Sequence, residues 1–155
     1  MLKQASVQQV RQQTLPRENS LIVIVMCFYP RGIRKEWRDD YRSELAPDRE
    51  LFQEWKSFEK TAGHDEAFQL TNYEFRFWLS ELGLRYFNYY CDESSEKDVY
   101  LVCQCKVGEK CHREMLMLMG HRLFGAKMDK IHNLYPEFQK RLDEFAATKT
   151  NSQRS

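Results

Sequence analysis

The segment Val99-Tyr100-Leu101-Val102-Cys103-Gln104-Cys105-Lys106-Val107-Gly108-Glu109-Lys110-Cys111-His112-Arg113 holds three of the five cysteines in the chain. Its first residues are β-branched and apolar on both faces, which predicts a strand covered on both sides of a sheet. After a loop that contains Gly108, apolar residues recur at helical spacing over 115–123, and Gly125 can end that helix. The segment therefore predicts a buried strand, a tight loop and a helix that begins near Cys111.

A second run, residues 21–28, is also apolar on both faces. A run of this kind is typical of a strand inside a parallel sheet, so we expect it to be central in a parallel or mixed sheet. Residues 3–11 have weaker strand character and are expected at an edge of the sheet.

Helical patterns follow Pro47 and Pro136, since proline suits the first turn of a helix. His64 lies in a polar link without other metal ligands nearby in sequence, and we expect it in an exposed loop. Together the elements predict an α/β fold with a small, mostly parallel sheet flanked by helices. We expect a single compact domain over residues 1–146 and a disordered polar tail over 147–155.

The composition is that of an ordinary globular protein. The chain has 155 residues, a formal net charge of +1 and no apolar run near the roughly 20 residues of a membrane helix. This charge gives no overall attraction to nucleic acids or membranes, and we expect no membrane partner. The five cysteines are an odd number without the spacing of a secreted disulfide scaffold, so we expect free thiols in the cytoplasm.

Three blocks of the sequence resemble a known family. Ile24-Val25-Met26-Cys27-Phe28-Tyr29-Pro30-Arg31-Gly32 resembles a strand that ends in a Trp/Tyr-Pro-Arg-Gly turn. Leu45-Ala46-Pro47-Asp48-Arg49-Glu50-Leu51 resembles a Leu-Ala-Pro-Ser-x-Glu-Leu helix start, and 101–113 resembles a Leu-x-Cys-x-Cys loop that leads to Cys-His-Arg. With these motifs the chain resembles the proteins grouped as domain of unknown function 488, in their small single-domain branch. The resemblance implies a compact α/β domain and no established reaction.

The chain departs from that branch in one place. Where the branch has Asp-Arg before the aromatic-Pro-Arg-Gly turn, this chain has Met26 and Cys27. If the Asp-Arg pair supplies charge to a pocket in the family, this member does not have that charge.

The loop supports a first hypothesis, thiol chemistry on a small anionic substrate. Residues 105–110 also resemble the strand-to-helix loop of rhodaneses, where a cysteine at a strand end carries sulfur within a cradle of backbone N–H groups. This chemistry needs a thiolate nucleophile and donors that stabilise negative charge. We assign Cys105 and Cys111 as the candidate catalytic pair, one as nucleophile and the other as its resolving partner. A phosphatase would need arginine where Cys111 stands, so the sequence argues against that activity.

A second hypothesis is a binding module without catalysis. A helix that begins near Cys111 offers free N–H groups and the positive end of its dipole to an anion. The candidate anion-binding residues lie around this helix start or after the neighbouring strand: Arg113, His112, Gly108, Lys110 and Arg31. The ligand would carry phosphate, as nucleotides do, and nucleic acid is the partner with the weaker support because the net charge is small.

Two other interpretations use the same residues. Cys103, Cys105, Cys111 and His112 have the ligand types of a zinc site, but the segment has no Cys-x-x-Cys pair. The neighbours Cys111 and His112 are also expected to diverge on a helix, so we predict no metal and no cofactor. In the other interpretation, Cys103 and Cys111 are small buried hydrophobic residues and Arg113 caps a loop.

Overall fold

Four parallel strands form the sheet in the structure, a computed structural model that describes residues 1–154. The strands are β1 (Leu2–Ser6), β2 (Ser20–Ile24), β3 (Asp40–Tyr41) and β4 (Asp98–Cys103). Their order across the sheet is β1-β4-β2-β3, and every neighbouring pair is parallel. The α/β class and the parallel sheet that the sequence predicts are confirmed.

Helices pack around this sheet. They are α1 (Val7–Arg11), α2 (Arg49–Ala62), α3 (His64–Leu70), α4 (Tyr73–Arg76), α5 (Glu81–Glu93), α6 (His112–Phe124) and α7 (Pro136–Arg154). Helix α7 includes residues 147–154, which the sequence predicts as part of a disordered polar tail, and Ser155 lies outside the described residues. Across residues 1–154, no helix is both long and apolar enough to cross a membrane.

Strand β4 lies between β1 and β2, which explains why it is apolar on both faces. Val99 is opposite Leu2 in the register, and Val102 is opposite Ile24. Leu101 packs into the larger core with helices α5, α6 and α7, whereas Val102 packs into the smaller core on the other face. Both faces of the strand are therefore closed to water, as its sequence requires.

The N-terminal segment, expected as one edge strand, divides into β1 and α1. The strand ends at Ser6 because the Ser6 hydroxyl accepts a hydrogen bond from the N–H of Gln9 at 3.3 Å. The side chain of Gln9 in turn accepts from the N–H of Ser6 at 2.9 Å. This capping box starts a helix inside the segment. The edge position of β1 is confirmed, but the strand prediction for residues 7–11 is wrong.

Strand β2 is internal, as predicted, but it is shorter than the apolar run 21–28. The N–H of Val25 still donates to the carbonyl oxygen of Val102 at 2.9 Å, and the chain then leaves the sheet. Met26 and Cys27 line a cavity instead. The end of the run is apolar because it forms a cavity wall.

Candidate functional site

The candidate site lies at the carboxyl end of β4. The strand ends at Cys103, residues 104–111 connect it to α6, and Cys111 is the residue that precedes the first turn of α6. Ligand sites of open parallel sheets form at this edge, because the connections that leave the strands surround a crevice there. The strand, loop and helix predicted from the sequence are confirmed.

Four side chains, which we call the cysteine cluster, converge here: Cys103, Cys105, Cys111 and His112. One sulfur or ring nitrogen atom from each of Cys103, Cys111 and His112 lies within 4.8 Å of the other two. Sγ of Cys111 is 3.6 Å from Nδ1 of His112, and the Cys105 thiol is hydrogen-bonded to Cys103 and Cys111. Nε2 of His112 donates to the carbonyl oxygen of Val25 at 2.6 Å, so Nδ1 is the nitrogen that faces the sulfurs.

The thiols of the cluster differ in acidity. Hydrogen bonds from Cys105 and Cys111 lower the pKa of Cys103 well below its ordinary value. The bond that Cys105 makes to Cys103 raises the pKa of Cys105. Burial lowers the pKa of His112, but the charge of the neighbouring sulfurs outweighs burial and raises this pKa to about 10. Negative charge in the cluster is therefore favoured on Cys103.

Arg113 is fully buried beside the cluster. Its guanidinium donates to the carbonyl oxygen of Ala5 on β1 and, at 3.2 Å, to that of Lys106 in the loop. Its Nε makes no hydrogen bond of ordinary geometry with the described residues. Burial lowers the pKa of Arg113, but the sulfurs of Cys111 and Cys103 outweigh burial and raise it. Arg113 thus ties the loop to the edge strand and places positive charge beside the sulfurs.

A cavity of about 460 Å³ opens next to the cluster. Cys103 and Cys105 line it, whereas Cys111, which is 2% exposed, is not among the described residues of its wall. Much of the remaining wall is aromatic or apolar: Phe28, Tyr29, Pro30, Phe52 and Trp55. Lys56 adds a positive charge to the wall, and Glu59 and Glu109 add carboxylates that lie 3.8 Å and 3.3 Å from Nδ1 of His64. The cavity has room for a small ligand in contact with two of the three cluster thiols.

His64 also lines this cavity, so its expected position in an exposed loop is wrong. It begins α3, its side chain is 17% exposed, and its ring meets the ring of Trp55 edge-on with centroids 5.1 Å apart. Its Nδ1 lies 3.3 Å from a carboxylate oxygen of Glu109, and its Nε2 is hydrogen-bonded to the carbonyl oxygen of Lys110. His64 therefore holds the loop after β4 against α2 and α3.

The residues predicted to bind anions stand apart from the cavity. None of the following is among the described residues of its wall: Arg113, His112, Gly108, Lys110 and Arg31. Arg31 is exposed, and Gly108 has a φ of +105°, which suits glycine in a tight loop. His112 and Arg113 are buried. The anion-binding role of all five residues stays a prediction.

Two cavity residues received no catalytic role from the sequence. Cys103 ends β4 and Cys105 follows two residues later in the loop, and this two-residue spacing is the signal that could have identified Cys103. The Cys27 thiol donates to the carbonyl oxygen of Pro47 at 2.9 Å. Burial raises the pKa of Cys27 to about 11, so this residue stays a protonated thiol near neutral pH.

The first turn of α6 also holds a second buried polar group, the Glu114 network: Gln4, Glu114, His132, Asn133 and Tyr135. One carboxylate oxygen of Glu114 accepts from the side chain of Gln4 at 3.0 Å and from the N–H of His132 at 2.6 Å. The other accepts from the side chain of Asn133 at 2.8 Å and from the hydroxyl of Tyr135 at 2.7 Å. The fully buried carboxylate therefore has four donors, which use its acceptor capacity.

Tyr135 connects the Glu114 network to the cysteine cluster. Its hydroxyl donates to Glu114, and the same oxygen accepts from the N–H of Cys111 at 3.0 Å. Burial raises the pKa of Tyr135, so the hydroxyl keeps the proton that it donates. The tyrosine holds the residue before α6 in place while it satisfies the buried carboxylate.

Comparison with known proteins gives one family match. The family model described as DUF488-N3a, Active DUF488-N3 subclade, matches residues 5–119. The matched region contains the cysteine cluster, the loop after β4 and most of α6. No curated protein and no solved structure matches the chain.

Proposed function

Because this chain belongs to the DUF488-N3a family, a subclade described as active, we propose that it is a thiol-dependent enzyme with rhodanese-like chemistry. Its substrate is a small anion that enters the cavity. One observation carries the proposal: Cys103 and Cys105 line a cavity at the carboxyl end of an internal parallel strand, in hydrogen-bond contact with each other and with Cys111.

The proposed reaction is a sulfur transfer, for which thiosulfate is a suitable probe. The Cys103 thiolate attacks the outer sulfur of thiosulfate, the S–S bond of the donor breaks, and sulfite leaves with the bonding electron pair. Cys103 then carries a persulfide, and an acceptor thiolate takes its outer sulfur and restores the Cys103 thiolate. Cys105 and Cys111, the predicted catalytic pair, donate hydrogen bonds to Cys103 and support the charge on its sulfur.

Positive charge near the cysteine cluster supports an anionic substrate, while the two carboxylates of the cavity wall, Glu59 and Glu109, lie beside His64. Arg113 is buried beside the cluster sulfurs, Lys56 lines the cavity, and the positive end of α6 begins at the cluster. Positive charge at these places attracts an anionic sulfur donor and stabilises a persulfide anion. The five cysteines are free thiols, and a reducing compartment would keep them so, which supports a cytoplasmic location.

The test measures the mass of chelator-treated protein after incubation with thiosulfate. Wild type should gain one sulfur atom, and so should Cys91→Ser, whose residue is buried in α5. Cys103→Ser should gain none. Cys105→Ser should load about 10- to 100-fold more slowly, because a hydrogen bond to a charged group is worth about 1.5–3 kcal/mol. Undiminished loading of both Cys103→Ser and Cys105→Ser would overturn the proposal.

One observation favours a second candidate, a binding module for a phosphate-bearing ligand such as a nucleotide or nucleic acid. The guanidinium of Arg49 lies 5.2 Å from the ring centroid of Phe28, and the ammonium of Lys56 lies 5.7 Å from that of Phe52. Both rings and Lys56 line the cavity. Aromatic faces with neighbouring cations suit a base and its phosphate.

The two candidates separate in a binding experiment with a labelled nucleotide. A binding module should retain its affinity in Cys103→Ser, lose affinity in Lys56→Ala and weaken as salt is added. An affinity that does not respond to salt or to Lys56→Ala would count against this candidate. A gain of one sulfur atom in the same preparation would instead support the sulfur-transfer enzyme.

A further inference from the structure

We infer that the cysteine cluster is also a metal site, in which Cys103, Cys105, Cys111 and His112 bind one zinc ion. Tetrahedral zinc has Zn–S distances of about 2.3 Å and Zn–N distances of about 2.0–2.1 Å, which place its ligand atoms about 3.5–3.8 Å apart. The distance of 3.6 Å between Sγ of Cys111 and Nδ1 of His112 agrees with this geometry. The sulfur of Cys103 lies within 4.8 Å of these two atoms, so the three side chains surround one position for an ion. The inference goes beyond the proposed function and does not rest on it.

The backbone explains how two neighbours in sequence reach one ion. Cys111 precedes the helix with an extended backbone, φ −157° and ψ 150°, whereas His112 is the first helical residue. This change of conformation brings the two side chains together, although neighbours inside a helix would diverge. The spacing argument against a zinc site applies to a continuous helix and therefore does not apply here.

His112 is oriented as a metal ligand. Its Nε2–H donates to the carbonyl oxygen of Val25 at 2.6 Å, which leaves Nδ1 for the ion. Histidine ligands commonly donate their other ring N–H to a carbonyl or carboxylate oxygen, because this bond fixes the ring and makes the ligating nitrogen more basic. The bond to Val25 performs that role in this site.

Arg113 is a second, independent observation that points to a negatively charged centre. The guanidinium is fully buried, it donates to the neutral carbonyl groups of Ala5 and Lys106, and it interacts with the Cys111 sulfur. Its Nε has no ordinary hydrogen-bond partner among the described side chains and backbone groups. A buried cation needs a compensating charge. Zinc with three thiolates and one neutral imidazole carries one negative charge, which balances Arg113.

Cys105 is the fourth proposed ligand and faces the path to solvent. Its sulfur lies outside the group of atoms within 4.8 Å of one another, but its thiol interacts with those of Cys103 and Cys111, so a small side-chain movement would bring it to the ion. Cys105 lines the cavity, whereas Cys111 and His112 are buried, so an ion can reach the cluster from the cavity side. When zinc binds, it replaces the remaining thiol protons and the Nδ1 proton, and these protons pass to solvent. Thiolate and imidazole ligands in a tetrahedral arrangement favour zinc over the oxygen-seeking ions magnesium and calcium.

The experiment adds cobalt(II) and then zinc(II) to chelator-treated full-length protein. About one cobalt per chain should produce a near-ultraviolet thiolate charge-transfer band and the visible bands of a tetrahedral centre. Zinc should then displace the cobalt and abolish these bands. Protein that gives only the weak spectrum of hexa-aquo cobalt would overturn the inference.

Variants show which side chains bind the ion. Cys111→Ser should lose the cobalt bands, whereas Cys91→Ser and Cys27→Ser should keep them, since neither residue belongs to the cluster. Cys105→Ser alters a half-buried residue, so it should keep its far-ultraviolet circular dichroism while its charge-transfer band weakens. A Cys105→Ser spectrum identical to wild type would remove Cys105 from the ligand set and overturn the four-ligand site.

Sulfur loading of the metal-free protein is measured beside these spectra. Loading without cobalt or zinc binding would overturn the metal site and leave the proposed reaction standing. Tetrahedral cobalt binding together with no loading of metal-free protein would overturn the proposed reaction and support the metal site.

Discussion

The first turn of α6 contributes to two buried polar regions that differ in how their groups are satisfied. In the Glu114 network, one carboxylate receives four hydrogen bonds from four different residues. In the cysteine cluster, the sulfurs of Cys103 and Cys111 and a ring nitrogen of His112 converge, with the Cys105 thiol beside them. Next to them lies Arg113, whose Nε makes no hydrogen bond with the described residues. Protein groups fill the acceptor capacity of the Glu114 carboxylate in the first region, although the amide oxygen of Gln4 makes no hydrogen bond with the described residues. The second region has converging ligand atoms and a buried cation that protein groups do not satisfy. A buried carboxylate whose hydrogen bonds are all made by protein groups indicates a structural role. Thiols and a ring nitrogen that converge without such partners indicate a ligand site.

Glu114→Ala tests the structural role and should have the largest effect. The substitution leaves four buried donors without their acceptor, so we expect a loss of about 3–5 kcal/mol in the free energy of unfolding. Denaturant unfolding measures it. Glu114→Gln is the matched control, because it keeps the shape and one acceptor oxygen, and should lose about 1–2 kcal/mol. Equal stability of Glu114→Ala and wild type would contradict the structural role of the network.

Arg113→Ala tests the second region, the cysteine cluster. The carbonyl groups of Ala5 and Lys106 lose their donor and a buried volume empties, so we expect a loss of about 2–4 kcal/mol. Arg11→Ala is the control, since Arg11 is less buried and donates to one carbonyl oxygen, that of Arg31. If the melting temperature of Arg113→Ala matches wild type while anion binding weakens, Arg113 acts on a ligand and not as a tie for the loop.

Tyr135→Phe breaks the connection between the two regions. Glu114 loses one of its four donors, and the N–H of Cys111 loses its acceptor, which together should cost about 1–3 kcal/mol. Hydrogen exchange of the Cys111 amide should also become faster, because the amide is no longer held before α6. Tyr89→Phe, at an exposed residue, is the control. Unchanged exchange at Cys111 would show that the regions are independent.

The mildest test concerns Cys27, which lines the cavity but lies outside the cluster. Burial raises its pKa to about 11, so its alkylation rate should keep increasing as the pH rises towards that value. Mass spectrometry resolved by cysteine measures the rate in native protein. A rate that reaches its plateau near the free-thiol value of about 8.5 would show that Cys27 is not in a desolvating environment. The expected profile would show that the cavity wall alone does not activate a thiol.

Local patterns in the sequence were sufficient for most of the fold. The apolar runs predicted β2 and β4, and the spacing of apolar residues after Gly108 predicted α6. These predictions succeed because burial of a strand or a helix produces a regular pattern of apolar residues close together in the sequence. The error at residues 7–11 has a local cause too, since the capping box of Ser6 and Gln9 overrides weak strand character.

The site could not be predicted from local patterns, because it depends on contacts between residues that are far apart in the sequence. His64 meets the carbonyl oxygen of Lys110, 46 residues later, and His112 meets that of Val25, 87 residues earlier. The cavity at Cys27 exists because β2 stops short of its apolar run. Each of these contacts depends on how separate elements pack against one another.

The amino-acid sequence was enough to predict the class of the fold, the position of the loop after β4 and the types of side chain available there. The packed structure was needed to show that Cys103 lines the cavity with Cys105, that Cys111 and His112 converge, and that Arg113 is enclosed. Strand and helix preferences act between neighbours in the chain. The chemistry of a site depends on distances of a few ångströms between residues that packing alone brings together.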